Sequence, residues 1–330
     1  MIEIERLDAL DDTLLAAAYA TIRAGATWGR PHADVPPWQM FLAWVRSDDA
    51  PWQHRFWVAR EGGGVVAVAS LIWSRYENAG VCEAHVSVPG PLRRRGHGTA
   101  LSEHVLDEAR AAGRHTVEAE IVHAATDPAP AGVAFATRLG FEQVMYEHRS
   151  RLALPVPAAR LEALATAARP HHDAYSLRTW RGRCPVDLVQ PFCDLLAEFD
   201  LEAPHGDRVV ERAPWDVARL ASQERARAAQ GITAWTCAAL APTGQPVGYT
   251  ELLFAADDDT VHQAATLVGP GHRGHRLGIA MKVANLQALD SSVADAVTTY
   301  VAPDNAAMQD VNRALGYEVV EHLVCVQRRL

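Results

Sequence analysis

"RRRGHGTAL", residues 93–101, runs three arginines into a Gly-His-Gly turn and then into an apolar, helix-like segment. An imperfect second copy, "RGHRLGIAM", occupies residues 273–281. A Gly-rich turn that opens a helix is suited to an anion. The first helical turn presents unpaired N–H groups and about half a positive charge. Glycine lets the backbone come close because no Cβ intervenes. Arg93, Gly96 and Gly98 set the turn, Arg94 and Arg95 add charge, and His97 and Thr99 complete it. A pyrophosphate is the expected guest. A P-loop is excluded because no Lys-Ser/Thr follows the glycines, which also argues against a nucleotide hydrolase. A dinucleotide fold is excluded because there is no GxGxxG after an early strand.

The surroundings of the two copies read alike. In the first half, "HRFWVAR" (54–60) and "VVAVASLIW" (65–73) flank "EGGG", a hairpin signal. "VCEAHVSV" (81–88) is a third strand, and the Arg-Gly turn follows it. A helix then spans about Thr99 to Ala112, with Leu101, Val105 and Ala109 at helical spacing. "HTVEAEIV" (115–122) is a strand, 131–139 a short helix, and "LGFEQVMYEHRSRLAL" a long strand. In the second half, "TAWTCAALA", "PVGYTELLF" and "VHQAATLV" precede the turn. A helix over 279–289, the strand "AVTTYVA", the helix "NAAMQDVNRA" and the strand "LGYEVVEHLVCVQRRL" follow it. The order of elements repeats, so one α/β unit of about 150 residues is duplicated. The predicted domains are residues 1–154 and 174–330, joined by an Ala- and Pro-rich helical linker over 155–173. His171, His172 and Asp173 in that linker read as exposed rather than as a metal cluster.

Bulk composition agrees with two soluble domains. The chain has 330 residues and a net charge of −9, which disfavours nucleic acid and suits a cationic substrate. No run nears the length needed to span a membrane, and no signal-peptide pattern opens the chain. The five cysteines are scattered, which predicts free thiols in a reducing cytoplasm, with no metal and no disulfide frame. Internal duplication predicts a monomer.

An antiparallel meander, an Arg-Gly turn, a helix and then strand–helix–strand resembles the GNAT superfamily of acyl-CoA N-acyltransferases. "RRRGHG" matches the family's pyrophosphate loop at Arg93, Gly96 and Gly98, and "RLGFEQV" and "ALGYEVV" mark the same late joint in each copy. The resemblance implies two tandem domains, each a mixed, largely antiparallel sheet flanked by helices. It also implies acetyl-CoA as co-substrate and direct attack of a small-molecule amine on the thioester. The strand before the turn would run beside the acyl chain, with Val86 and Val88 pairing to pantetheine.

Two departures from the family pattern bear on which copy works. Arg276 stands where the second loop should have glycine, and it would either crowd the phosphates or bind them. The family's Asn and thiolate-protonating Tyr correspond to Ala129 and Ala136 in copy one, and to Asn305 and Asn312 in copy two. The favoured reading makes copy one catalytic. A catalytic second copy, as in mycothiol-synthase-like proteins, and a non-catalytic CoA-binding sensor are the alternatives. In copy one Glu83, His85 and Ser87 share a face of their strand, with Glu83 and then His85 the candidate bases. That face equally fits the polar side of a half-buried strand. His262, Gln263, Thr266 and Glu251 are the counterparts in copy two. Cys82 reads as a core residue, and Trp38, Trp44 and Trp52 as packing near the acceptor side.

Overall fold

Gly62 and Gly63 both take positive φ, the conformation that a tight two-residue hairpin turn requires. They join β2 (Trp52–Glu61) to β3 (Gly64–Ser74), which pair antiparallel. In the computed structural model residues 2–47, 51–202, 206–208, 211, 214–290 and 294–330 are described. They form two compact units. One comprises Met1–Glu147, His205–Glu211 and Val320–Leu330, and the other His148–Pro204 and Arg212–Val319.

In the first unit β1 (Glu3–Arg6) borders β2, and the order continues through β3, β4 (Val81–Ser87), β5 (Thr116–Ala124) and the C-terminal strand β12 (Glu318–Arg329). Alternation gives this sheet two apolar faces. Leu101, Val105 and Ala109 of α3 (His97–Ala111) pack on Leu71, Val117, Val324 and Val326. On the other face Leu15 and Ala18 of α1 (Asp12–Thr27) and Phe41 of α2 (Trp38–Arg46) pack on Phe56, Val58 and Val68. Each such fully buried large side chain contributes about 1.5–3 kcal/mol. Trp38 joins the second cluster, Trp44 stacks on His54 at 5.3 Å, and Trp52 stays exposed.

The second unit repeats the plan: β7 (Ser176–Arg181), β8 (Ile232–Leu240), β9 (Pro246–Ala255), β10 (Thr260–Val268), β11 (Ala296–Val301) and part of β6 (Glu142–Ala153). Its helices are α6 (Val189–Glu202), α7 (Val217–Ala229), α8 (Leu277–Ala288) and α9 (Ala306–Leu315). The short α4 (Ala131–Arg138) belongs to the first unit.

Three features differ from the sequence expectation. The final strands are exchanged: His148–Ala153 of β6 pair with β11, and Glu321–Arg329 of β12 (Glu318–Arg329) pair with β5. Residues 205–211 fall in the first unit although they belong to the second half of the sequence. The segment expected to be a linker is helical over α5 (Ala158–Ala168), but it is core. Leu161 and Ala168 are buried with Ile279, Ala280, Val283 and Leu286 of α8. All five cysteines are free and buried. Among the described residues no helix is long and apolar enough to cross a membrane.

The parallel pairs matter most for a site. β4 pairs with β5 only from Val81 to Glu83, opposite Thr116 to Glu118. Beyond that register β4 stays bonded to β3, and β5 to β12, so the two strands part. β10 and β11 do the same after His262 and Thr298.

A lysine is among the buried charged side chains. Lys282 of α8 is 1% exposed, and its Nζ donates to Asn312 Oδ1 at 2.9 Å. Burial brings its ammonium down to about 7. Between that value and the ordinary 10.5 the unfolded chain binds more protons, so this group makes stability rise with pH across the window. Lys282→Met should stabilise the protein, most at pH 7 and below, with the gain over wild type shrinking by pH 9. Urea denaturation at several pH values checks this, and a pH-independent gain would contradict it.

Candidate functional site

Both turns follow one backbone path. Arg94 and Gly96 have φ of 65° and 89°, and Gly274 and Arg276 have 84° and 54°. Each copy thus uses the left-handed region twice, two positions apart, with Gly and Arg interchanged. Alternating conformations of this kind turn successive N–H groups inward and make an anion-binding concavity. The first arginine of each motif builds the turn. Arg93 Nε donates to the Val88 carbonyl at 3.0 Å and Nη2 to the Gly25 carbonyl at 3.0 Å. Arg273 Nε makes the matching bond to Val268, at 3.2 Å. The Arg93 side chain, expected on the phosphates, is thereby engaged by backbone carbonyls.

The remaining loop residues separate into two groups. Arg94, Arg95, Gly96 and Thr99 are exposed, and neither Arg94 nor Arg95 bonds another described residue. His97 does not face a ligand with its ring: it is 2% exposed and lies 3.8 Å from Glu61. Only its backbone remains for one. A Cβ on Gly96 would meet open space, so glycine serves there for its φ of 89° and not for clearance. Val86 and Val88 sit half-buried on the α3 side of β4.

On the opposite side of the sheet, register places Glu83 beside Glu118, with Glu118 and Glu120 facing Gln327 and Cys325. His54 joins this face through Ile72, the β3 residue opposite both it and Glu83. His85 Nε2 lies 2.9 Å from Glu83 Oε1. Burial alone would raise Glu83 and lower His85, but their mutual charge and hydrogen bond outweigh it. Glu83 is held below the ordinary carboxylate range and His85 above the ordinary imidazole value. Glu120 keeps solvent access, yet crowding by protein and then the charge of Glu83 push it up to about 7. Burial and His85 bring His54 down to about 4, so it stays neutral at pH 7. Cys82 is no nucleophile, because burial lifts its thiol to about 12.

The structure therefore brings Glu83 and His85 together, but as a locked ion pair. Glu120, absent from the sequence reading, is the carboxylate nearest to exchanging a proton at neutral pH. The alternation in "VEAEIV" carried the signal, since it puts Glu118 and Glu120 on one face of the strand paired with Glu83.

The acetyltransferase (GNAT) domain family model matches residues 52–143. A tandem GNAT protein from the clavulanic acid biosynthesis pathway, solved without acetyl-CoA, is 26% identical. All of this chain and 98% of that one align, with a TM-score of 0.80. Residues 52–143 carry a GNAT domain, and the chain as a whole has the fold of a tandem GNAT protein. A GCN5-related N-acetyltransferase from Sphaerobacter thermophilus shares the fold at 14% identity, TM-score 0.66, over 99% of this chain and 95% of that one. No curated protein sequence matches.

In the second copy, side chains of the turn meet other parts of the same unit. Arg276 is exposed, and its Nη1 donates to the Ala167 carbonyl at 3.1 Å. His275 Nδ1 lies 3.0 Å from the His171 carbonyl, and the Tyr175 hydroxyl 3.0 Å from His272 Nδ1. The polar residues singled out there are also engaged. Glu251 takes a bidentate grip from Arg227 at 2.8 and 2.7 Å. Gln263 donates to Thr250 and to the Glu251 carbonyl, Thr250 meets Thr266 at 2.7 Å, and His262 lies 3.4 Å from Asp258. Asn305 caps α9 by accepting from the Met308 N–H.

The two glycines of the first turn should behave differently. Gly96→Ala should cost about 1–2 kcal/mol, because a Cβ disfavours positive φ. Gly98→Ala should be close to neutral, since its Cβ would lie 3.5 Å from Phe135, an ordinary contact. Denaturant unfolding of both variants checks this, and equal costs would contradict it.

Proposed function

We propose that the first copy transfers an acetyl group from acetyl-CoA to a primary amine of a small molecule. The observation that carries this reading is the parting of β4 from β5 between an open Arg-Gly turn and a floor of carboxylates. In the second copy the equivalent turn is held by Ala167, His171 and Tyr175.

The donor fits the residues present. Backbone N–H groups at the start of α3, with Arg94 and Arg95 beside them, would hold the pyrophosphate. The edge of β4 at Val86 and the Val88 that follows it, neither paired to β5, would take the pantetheine amides. Acetyl-CoA supplies an activated thioester carbonyl when bound. The acceptor enters as an ammonium and must lose a proton before its nitrogen forms the new C–N bond and the C–S bond breaks. Glu120 is the proton acceptor, and the Glu83–His85 pair flanks it and sets its affinity for the proton. The acidic floor also favours a cationic acceptor over a neutral one.

One observation favours a second reading, a CoA-binding sensor without turnover. Ala136, 7% exposed, offers no proton to a leaving thiolate where the family pattern has Tyr. Mass spectrometry of acetylated amine products separates the two readings.

With turnover established, kcat at saturating acceptor should rise with pH through about 7 as Glu120 ionises. Glu120→Gln should remove that rise and lower kcat about 100-fold. Glu83→Gln removes a neighbouring negative charge, so it should move the rise to lower pH. An unchanged profile in Glu120→Gln would eliminate Glu120 as the base.

A further inference from the structure

The fold draws a short piece of the second half of the sequence onto the first copy's carboxylate floor. Arg208 grips Glu118 Oε2 with two nitrogens, Nη2 at 2.6 Å and Nε at 3.0 Å. Gln327 Nε2 donates to the other oxygen of Glu118 at 3.0 Å. Glu118 is 6% exposed, so this guanidinium is what compensates a buried carboxylate. The piece is clasped at two further points. The Asp207 N–H donates to the Val144 carbonyl at 3.0 Å. Asn78 and Glu211 exchange bonds: the Asn78 N–H donates to Glu211 Oε2 at 2.7 Å, and the Glu211 N–H donates to Asn78 Oδ1 at 2.8 Å. Asn78 lies in the turn between β3 and β4, so the clasp and the arginine bracket the strand that carries Glu83 and His85.

We propose that Arg208 is a positioning residue of the first copy's site, fixing Glu118 beside Glu83 and balancing the carboxylates around Glu120. This rests on the acetyl-transfer reading given above and adds to it that the second half of the chain completes the first copy's site. The duplication then has a use beyond a spare copy, because the segment between α6 and α7 supplies a cation that neither β4 nor β5 carries. The charge of Arg208 acts on Glu83, Glu120 and Glu147 as well as on Glu118. The groups facing this floor are Glu83 and His85 from β4, Glu118 and Glu120 from β5, His54 from β2, Glu147 from β6 and Cys325 from β12. Without Arg208 the floor would hold four glutamates against one protonated imidazole, and the carboxylate freest to take a proton would bind it more tightly.

The test reads Glu120 directly, by a carbon-13 NMR titration of its carboxyl in the full chain, alongside the pH profile of kcat. Arg208→Gln should raise the Glu120 midpoint by about one pH unit and move the activity rise with it. Glu118→Gln should lower the midpoint, and the double variant should return it close to wild type. Where Arg208→Gln fails to fold, Glu118→Gln and the double variant carry the test, because neither leaves Glu118 buried and unpaired. Equal midpoints in those two would overturn the proposal, as would an unshifted midpoint in folded Arg208→Gln. Absence of turnover in wild type would remove the acetyl-transfer reading while leaving the NMR comparison intact.

Discussion

A guanidinium reaching back to the carbonyl at the end of the preceding strand holds each strand–turn–helix junction in shape. Arg93 does this to Val88, and Arg273 does it to Val268. The bond ties the end of β4 to the entry of α3 while the intervening residues pass twice through positive φ. A path of this kind turns successive N–H groups inward and makes an anion-binding concavity. The repeated arginine is thus explained in both copies by construction, and only the residues after it are free to differ in what they contact. In the first copy Gly96 leaves open space, while in the second Arg276 reaches Ala167.

Much of the fold could be read from pattern. The hairpin at Gly62–Gly63, the alternation of β4, the apolar stripe of α3 and the two late joints all have local signals, and all lie within a residue or two of their expected places. The exchange of β6 and β12 has no such signal. Each strand carries its own alternation whichever sheet it joins, so partner choice depends on contacts remote in sequence. The helix over 158–168 was visible, but its burial was not, because an Ala-rich helix with two leucines looks the same as a linker and as a lid on α8.

The outline of the site is legible in the sequence, and its side-chain pairing is not. Glu83 and His85 were found because they alternate on the strand before the turn. Their 2.9 Å ion pair, which holds one anionic and the other cationic, depends on rotamers that sequence does not specify. Glu120 sits on a strand whose alternation was plain but whose parallel register with β4 was not. Arg208 lies ninety positions beyond Glu118, in a segment with no motif, and only the three-dimensional path brings it there. The ring of His97 departs from the expectation for a simpler reason. A histidine between two glycines in a phosphate-type turn suggests a ligand contact, but the first helical position turns its ring into the core.

The proposed division of labour is that the first turn takes the donor, while the second has its arginine and histidines engaged by the chain itself. Calorimetric titration of the full chain with acetyl-CoA measures it most directly. The account predicts one equivalent bound, abolished by Gly96→Val and left in place by Gly278→Val. Two equivalents, or one that disappears only with Gly278→Val, would contradict it.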